Sequence, residues 1–170
     1  MAGLVAVTVL LPAGCGYRLA GNSVGRLPGN VRTIAVPAFR NETFAFKMEQ
    51  SLTAAVVREF LARTTYQIQS REVGSDAVLD GVVTAVYSGP IVFDPGGGRA
   101  TEVLLTVSMR VSLRDTATGA VLYEANDLVF REPYEISTDP AVYFEENPAA
   151  MDRLSRQVAA GIVSAILENF

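Results

Sequence analysis

The chain of 170 residues is 49% hydrophobic and 19% charged, a composition typical of one globular domain and not of a disordered protein. Its formal net charge of −4 gives no general attraction to nucleic acid, so we predict no nucleic-acid partner. With no histidine and a single cysteine, the sequence excludes a Ser-His-Asp triad, a Cys-His dyad, the usual zinc sites and an intramolecular disulfide. We therefore predict no cofactor and no metal, and we look for the function in anchoring and in surfaces.

The first fifteen residues have the pattern of a lipoprotein signal. Residues Met1–Leu11 form an uncharged apolar run, too short to span a bilayer but suited to the apolar region of an export signal. Small residues then precede Cys15, and the sequence LLPAGC resembles a bacterial lipobox. We predict that residues 1–14 are a lipoprotein signal peptide, that Cys15 is lipidated, and that residues 15–30 are a flexible tether. The alternatives are an ordinary cleaved signal or a buried helix with an incidental cysteine.

A short strand and a helix are predicted next. Residues Val31–Val36 form a β-run that Pro37 ends, and Asn41 or Thr43 is suited to cap the helix that follows. Asn41-Glu42-Thr43 also matches a glycosylation acceptor, but capping is the interpretation we favour. The apolar positions of this helix follow steps of three and four and form one stripe for the sheet. They include Phe44, Met48, Leu52, Ala55, Val56 and Phe60.

Two more strands and an unusual loop follow. Tyr66–Gln69 predicts a short strand and Ala77–Tyr87 a longer one, in which Gly81 indicates a bulge or a close backbone approach. The predicted loop, residues 88–100, carries the apolar residues Ile91, Val92 and Phe93 and then three glycines. The glycines do not predict a phosphate loop, because no Lys-Ser or Lys-Thr follows them. The apolar residues either contact a partner or lipid, or fold back on the core.

The strand predicted at Thr101–Leu113 organises the fold. Alternate residues of a strand point to opposite faces, and here one face is apolar while the other is mostly polar and carries Arg110 and Arg114. After a turn at Asp115–Gly119, Val121–Arg131 returns as another strand. The apolar face of such a sheet must be covered, and two amphipathic helices are available to cover it.

The last predicted element is a helix that completes the domain. The acidic segment Glu132–Asn147 contains two prolines, and Asn147-Pro148 predicts the start of a helix that runs to about Glu168. The element order is β-α-β-β-β-β-α. We predict that residues 31–170 form a single α+β domain, a two-layer sandwich. Its mostly antiparallel sheet has about four strands, with both helices packed on one face.

Several stretches, taken in order, carry a resemblance to a known family; they are Cys15–Leu19, Val31–Phe44, Met48–Thr53, Ser75–Gly81, Thr101–Leu113 and Val121–Glu124. Together they resemble the lipopolysaccharide-assembly lipoproteins, the LptE-like family, over essentially all of the predicted mature chain. The resemblance implies a non-enzymatic lipoprotein, held by its acyl chains at the periplasmic side of the outer membrane. Such a protein plugs the LptD β-barrel translocon, assists its assembly and helps deliver lipopolysaccharide to the outer leaflet.

The resemblance also directs attention to candidate contact residues. Arg99, Arg110 and Arg114 are suited to bind lipid A phosphates or groups in the lumen of the barrel, with Ile91 and Phe93 as apolar contacts. The alternative is that these arginines are simply solvated.

Two other functions remain open from the sequence. The first is a lipoprotein adaptor or activator of another envelope machine, such as a cell-wall synthase or a secretion pore, because VRTIAVPAF resembles the opening strand of those proteins too. The second is an enzyme that uses a carboxylate pair such as Glu145 and Glu146. Adjacent glutamates on a solvated stretch are usually only solvated, so we predict no enzyme.

Overall fold

The computed structural model describes residues 27–28, 31–93, 100–135 and 143–170, with only the backbone for residues 143–147. Across these ranges the chain forms six strands and two helices. They are β1 (Thr33–Ala35), β2 (Arg40–Asn41), α1 (Met48–Arg63), β3 (Gln67–Gln69), β4 (Ala77–Phe93), β5 (Ala100–Asp115), β6 (Val121–Glu135) and α2 (Tyr143–Glu168).

All six strands belong to one sheet. Its order is β3-β1-β4-β5-β6, and β2 pairs with β4 beyond the end of β1. The short strands β1, β2 and β3 pair in parallel, whereas β4, β5 and β6 form a long antiparallel meander. The predicted α+β fold with a mostly antiparallel sheet is confirmed. The sheet has six strands where the sequence predicted about four. The predicted element order contained five strands, and the strand that it lacked is β2, which forms where the chain pairs with β4 after Pro37.

The two helices lie side by side and run in the same direction. Residues near the start of α1, such as Ser51, face residues near the start of α2, such as Met151. At the other end, the Arg63 Nη1 donates to the Ser164 Oγ at 2.7 Å. Their buried residues form one core with the apolar face of the sheet, and the largest of these are Met48, Leu52, Phe60, Leu154, Ile162 and Ile166.

Strand β5 shows the alternation that the sequence predicts. Val103, Leu105, Val107, Met109, Val111 and Leu113 are all buried. The residues between them, from Leu104 to Arg114, are exposed or half-buried. Full burial of such a side chain contributes about 1.5–3 kcal/mol, so this face of β5 is a main source of stability.

The predicted start of the first helix is wrong. The helix begins at Met48, and Lys47 precedes it in a left-handed conformation with φ of 58°. The Asn41 Oδ1 accepts hydrogen bonds from the backbone N–H and the hydroxyl of Thr43, at 2.9 and 2.7 Å. Asn41 therefore stabilises a turn before the helix and does not cap it. Phe44, which was predicted to face the core, lies in solvent.

The predicted loop at residues 88–100 is also largely wrong, since β4 continues through Phe93 and β5 begins at Ala100. Likewise β6 extends to Glu135, into the predicted acidic break. Pro90 and Pro133 are compatible with this pairing. Pro133 lies on the edge strand β6, and Pro90 lies in the part of β4 beyond its pairing with β2, where β5 is its one neighbour in the described sheet. Proline is tolerated at such positions. The closing helix starts at Tyr143, so Pro148 lies inside it.

The domain has two distinct ends. Leu27 donates its backbone N–H to the Tyr66 hydroxyl at 2.9 Å, close to where β1 and β3 begin; we call this the anchor end. The far end of β4 lies at the opposite end, which we call the hairpin end, and both helices start away from the anchor end. In the described ranges, neither helix combines the length and the apolar composition needed to cross a bilayer.

Candidate functional site

The open face of the sheet carries three arginines, which we call the arginine row. Arg40 of β2 is level with Val82 of β4, and Val82 is level with Arg110 of β5. Two strand spacings place the Arg40 and Arg110 Cα atoms about 10 Å apart. Arg114 lies four residues further along β5, on the same face, and all three line a shallow depression of about 400 Å³. The sheet therefore gathers on one surface three cations that are distant in the chain.

Two of these arginines already have carboxylate partners. The Arg110 Nη2 lies 3.4 Å from the Glu42 Oε2, and the Arg114 Nη2 lies 2.8 Å from the Asp80 Oδ2. The hydrogen bond that Arg114 donates to Asp80 raises the pKa of Arg114. Both pairs are about half exposed, and exposed ion pairs contribute only about 0–1 kcal/mol. An incoming anion can therefore displace these carboxylates at small cost.

Arg40 differs from its neighbours in the row. No ion pair joins it to a carboxylate among the residues that the structure describes, and its side chain is exposed. A free guanidinium can bind a phosphate or carboxylate through two parallel hydrogen bonds. Sequence reasoning missed Arg40 because it ended the strand at Val36. One signal in the sequence was available: the apolar Phe39, which is buried in the structure, directly precedes the charged Arg40. This change from apolar to charged is typical of a strand with one buried and one exposed face.

Ile91 and Phe93 form a second surface with Val92 near the end of the β4–β5 hairpin. They expose 48%, 54% and 43% of their area, and so do not fold back on the core. Val92 is level with Glu102, which lies eight residues before Arg110 on β5. At about 3.3 Å per residue, the two surfaces are about 26 Å apart. The structure does not join the apolar and cationic candidates in one pocket.

Other predicted site residues lie outside the described residues. These are Cys15 and Arg99. Glu145 and Glu146 belong to the first turns of α2, where only the backbone is described. Among the residues that the structure describes, no cluster of three potential metal ligands occurs.

Comparison with protein families shows which family has this sequence and fold. A family model described as lipopolysaccharide-assembly, LptE, matches residues 31–166. The chain belongs to the LptE family. This is a family of non-enzymatic lipopolysaccharide-assembly proteins, and the match spans every described strand and nearly all of the last helix.

Solved structures of other proteins have the same fold as this LptE-family chain at low sequence identity. Lipoprotein B from Nitrosomonas europaea is 16% identical, with a TM-score of 0.58, and the match covers 90% of this chain and 96% of that one. Rare lipoprotein B from Shewanella oneidensis is 12% identical, with a TM-score of 0.55 and coverage of 80% and 94%. The PelC dodecamer from Paraburkholderia phytofirmans is 15% identical, with a TM-score of 0.50 and coverage of 84% and 93%. The search of curated proteins found no match.

Proposed function

We propose that this LptE-family protein is a lipoprotein, acylated at Cys15 and held at the periplasmic side of the outer membrane. There it plugs an LptD-like β-barrel, assists the assembly of that barrel and helps to deliver lipopolysaccharide to the outer leaflet. The family match over residues 31–166 is the observation that carries this proposal. The lipobox-like sequence before Cys15 supports the anchor.

The shape of the domain supports a role as a plug. The helices cover one face of the sheet, and the opposite face of the long meander is polar over much of its length. A rigid body with polar side chains on an open face suits the lumen of a barrel, which is itself polar. The chain also enters the domain at the anchor end, so the hairpin end projects away from the tether.

Lipopolysaccharide contacts are proposed at the two surfaces described above. Arg40, Arg110 and Arg114 are suited to bind lipid A phosphates, with Arg99 as a further candidate from the sequence. Ile91 and Phe93 are suited to contact acyl chains or the barrel wall. The distance between the two surfaces allows one elongated amphiphile to touch both.

Purification of the lipidated chain from outer membranes tests the main proposal. The tagged full-length protein is extracted in detergent, and its partners are identified by mass spectrometry. We expect a large outer-membrane β-barrel protein together with lipopolysaccharide. Recovery of a cell-wall synthase, or of the chain alone as a self-assembled ring, would overturn the proposal in favour of the adaptor alternative.

A second experiment tests the arginine row. Lipopolysaccharide binding is measured for the purified chain and for a variant with Arg40, Arg110 and Arg114 changed to alanine. Each charge-assisted hydrogen bond contributes about 1.5–3 kcal/mol, so we expect at least about a tenfold weaker affinity. Arg153→Ala, which removes an arginine from the helix side of the domain, is the matched control and should leave affinity unchanged. Equal affinities of the triple variant and the control would remove the arginine row from the proposal.

A further inference from the structure

The turn between β2 and α1 exposes two aromatic side chains. We call residues 42–47 the aromatic turn. Phe44 is as exposed as in an extended peptide, at 108%, and Phe46 is 86% exposed. Ala45 lies between them and packs against the core. An exposed phenylalanine adds nothing to the core, so two in one short turn need another explanation.

Hydrogen bonds from side chains hold this turn in one shape. The Asn41 Nδ2 donates to the Ala45 carbonyl at 2.7 Å and to the Glu49 Oε2 at 3.0 Å. The Thr43 hydroxyl accepts from the Ala45 N–H at 3.1 Å, while it donates to the Asn41 Oδ1. The backbone of Glu42 is tied to β4 through the carbonyl of Val83 at 2.9 Å. The backbone that carries the two rings is therefore held in one conformation.

Lys47 completes the turn with an unusual backbone conformation. Its φ of 58° lies in the left-handed region that a side chain disfavours, and it is the one lysine of the chain. The Lys47 Nζ lies 4.9 Å from the centroid of the Phe46 ring. The nearby carboxylates of Glu42 and Glu49 are engaged by Arg110 and Asn41. The turn therefore presents two apolar rings with a positive charge beside them.

The position of the turn distinguishes a protein pocket from a bilayer as its partner. The turn lies away from the anchor end, because residues 42–47 connect β2 to the first residue of α1, whose last residue lies near the anchor end. The tether enters at the anchor end, beside Tyr66. The length of α1, sixteen residues or about 24 Å, separates the turn from that end. A fluid bilayer does not require a fixed spacing between the two backbone positions that carry the rings. Binding to a shaped protein pocket, in contrast, is favoured when the backbone that carries the contacting side chains is already ordered.

We propose that Phe44 and Phe46 anchor this protein in an apolar pocket with an acidic rim on the inner wall of its barrel partner. The pocket accepts the two rings, and a carboxylate at its rim meets Lys47. The proposal rests on the proposed function, since it names the contact through which the plug is held. Buried aromatic anchors commonly carry much of the affinity of a protein interface.

Alanine substitution of both rings tests the proposal in the lipidated full-length chain. For Phe44→Ala/Phe46→Ala we expect at least a tenfold loss of the barrel protein recovered by purification from outer membranes. The thermal midpoint of the purified chain should not change, because neither ring packs in the core. Val73→Ala is the matched control, since Val73 is another exposed apolar residue, 90% exposed and on the turn between β3 and β4. It should not change the recovery.

Photo-crosslinking identifies what Phe46 touches. With p-benzoylphenylalanine in place of Phe46, irradiated cells should yield an adduct with the same barrel protein. An adduct with lipid alone would overturn the proposal in favour of a membrane contact. Barrel recovery equal to wild type for the double alanine variant would also overturn it, while leaving the plug function intact. If wild type itself recovers no barrel, the proposed function fails together with this inference.

Discussion

Asp76 ties the start of β4 to β1 through backbone hydrogen bonds. Its Oδ2 accepts from the N–H groups of Arg32 and Thr33 at 2.8 and 2.9 Å. Its own N–H donates to the Thr33 carbonyl at 2.9 Å. The bonds from Arg32 and then Thr33 lower the pKa of Asp76 below its ordinary value of 3.8. The carboxylate is therefore bound more favourably in the folded than in the unfolded chain.

We predict that Asp76→Asn lowers the free energy of unfolding at neutral pH. We also predict that this free energy falls less steeply in the variant as the pH is lowered. A folded-state pKa below the unfolded value stabilises the fold above pH 3.8, and this contribution is lost as the pH falls through the folded pKa. Urea midpoints measured from neutral to acidic pH check this. Asp115, whose pKa is lowered by hydrogen bonds from Thr118, still titrates in the variant. Asp127→Asn, at an exposed position of β6, is the control, and an equal effect there would contradict the prediction.

The buried ring of Phe39 packs directly against the backbone of β4 at Gly81. A Cβ built at this position would lie 2.7 Å from atoms of the Phe39 ring, and Phe39 is buried. The sequence predicted a bulge or a close backbone approach here. The structure shows the close approach at Gly81, with the nearest bulge of β4 between Val83 and Ala85. The glycine is required because an aromatic ring occupies the space of its missing side chain.

We predict that Gly81→Ala costs about 1–3 kcal/mol in the free energy of unfolding, because it overpacks the contact with Phe39. In a Phe39→Leu background the same change should cost less than about 1 kcal/mol, since the ring is gone. Urea denaturation of the four proteins of this cycle gives the coupling. Equal costs of Gly81→Ala in both backgrounds would show that Phe39 is not the reason for the glycine.

At the scale of elements, the alternation of β5 decides which face of the sheet becomes the core. The period of two could be read from the sequence, and the burial of every second residue from Val103 to Leu113 confirms it. The ends of the neighbouring strands could not be read in this way. Residues 88–93 and 132–135 extend their strands because they pair with β5. The strand propensity of these residues alone does not predict that pairing.

Neighbouring residues of β5 should respond very differently to substitution. Met109 is fully buried, so Met109→Ala should cost about 2–5 kcal/mol through the cavity that it leaves. Ser108 lies on the opposite face, and Ser108→Ala should change stability by less than about 0.5 kcal/mol. Chemical denaturation of both variants measures the difference. Similar costs for the two residues would contradict the assignment of faces.

The start of α1 is a second element whose form depended on tertiary contacts. Asn41 and Thr43 are good capping residues, so the sequence favoured a helix from Phe44. Pairing of Arg40 and Asn41 with Val82 and Val83 places them in a strand instead. The side chain of Asn41 then forms hydrogen bonds with residues of the turn that follows. The same pairing places Arg40 two strands from Arg110 on one face of the sheet, which is why sequence reasoning missed both the turn and this cation.

At the scale of the whole molecule, the domain places three exposed phenylalanines away from its predicted tether. Leu27, which belongs to the predicted tether, lies at the anchor end, while Phe44, Phe46 and Phe93 lie towards the hairpin end. An anchor at one end and contact surfaces at the other suit a protein that reaches from a bilayer into a larger assembly.

We predict that Cys15→Ser releases the full-length protein from the membrane or leaves it as an unprocessed precursor. Acyl chains contribute about 0.8 kcal/mol per buried CH₂, and a serine hydroxyl does not replace the cysteine sulfur in that modification. Fractionation with salt and detergent washes, followed by mass spectrometry of the mature N-terminus, checks this. A wild-type protein with a free thiol in the soluble periplasmic fraction would contradict the prediction.

The sequence by itself determined the fold class, the apolar face of β5 and the family. These depend on periodicity and on the order of stretches, which are local properties of the chain. Only the tertiary structure decided that Arg40 joins the arginine row and that Phe44 faces solvent. It also showed that Ile91 and Phe93 extend a strand about 26 Å from Arg110. The physical reason is that strand pairing selects partners distant in the chain, and the pairing sets which side chains share a surface.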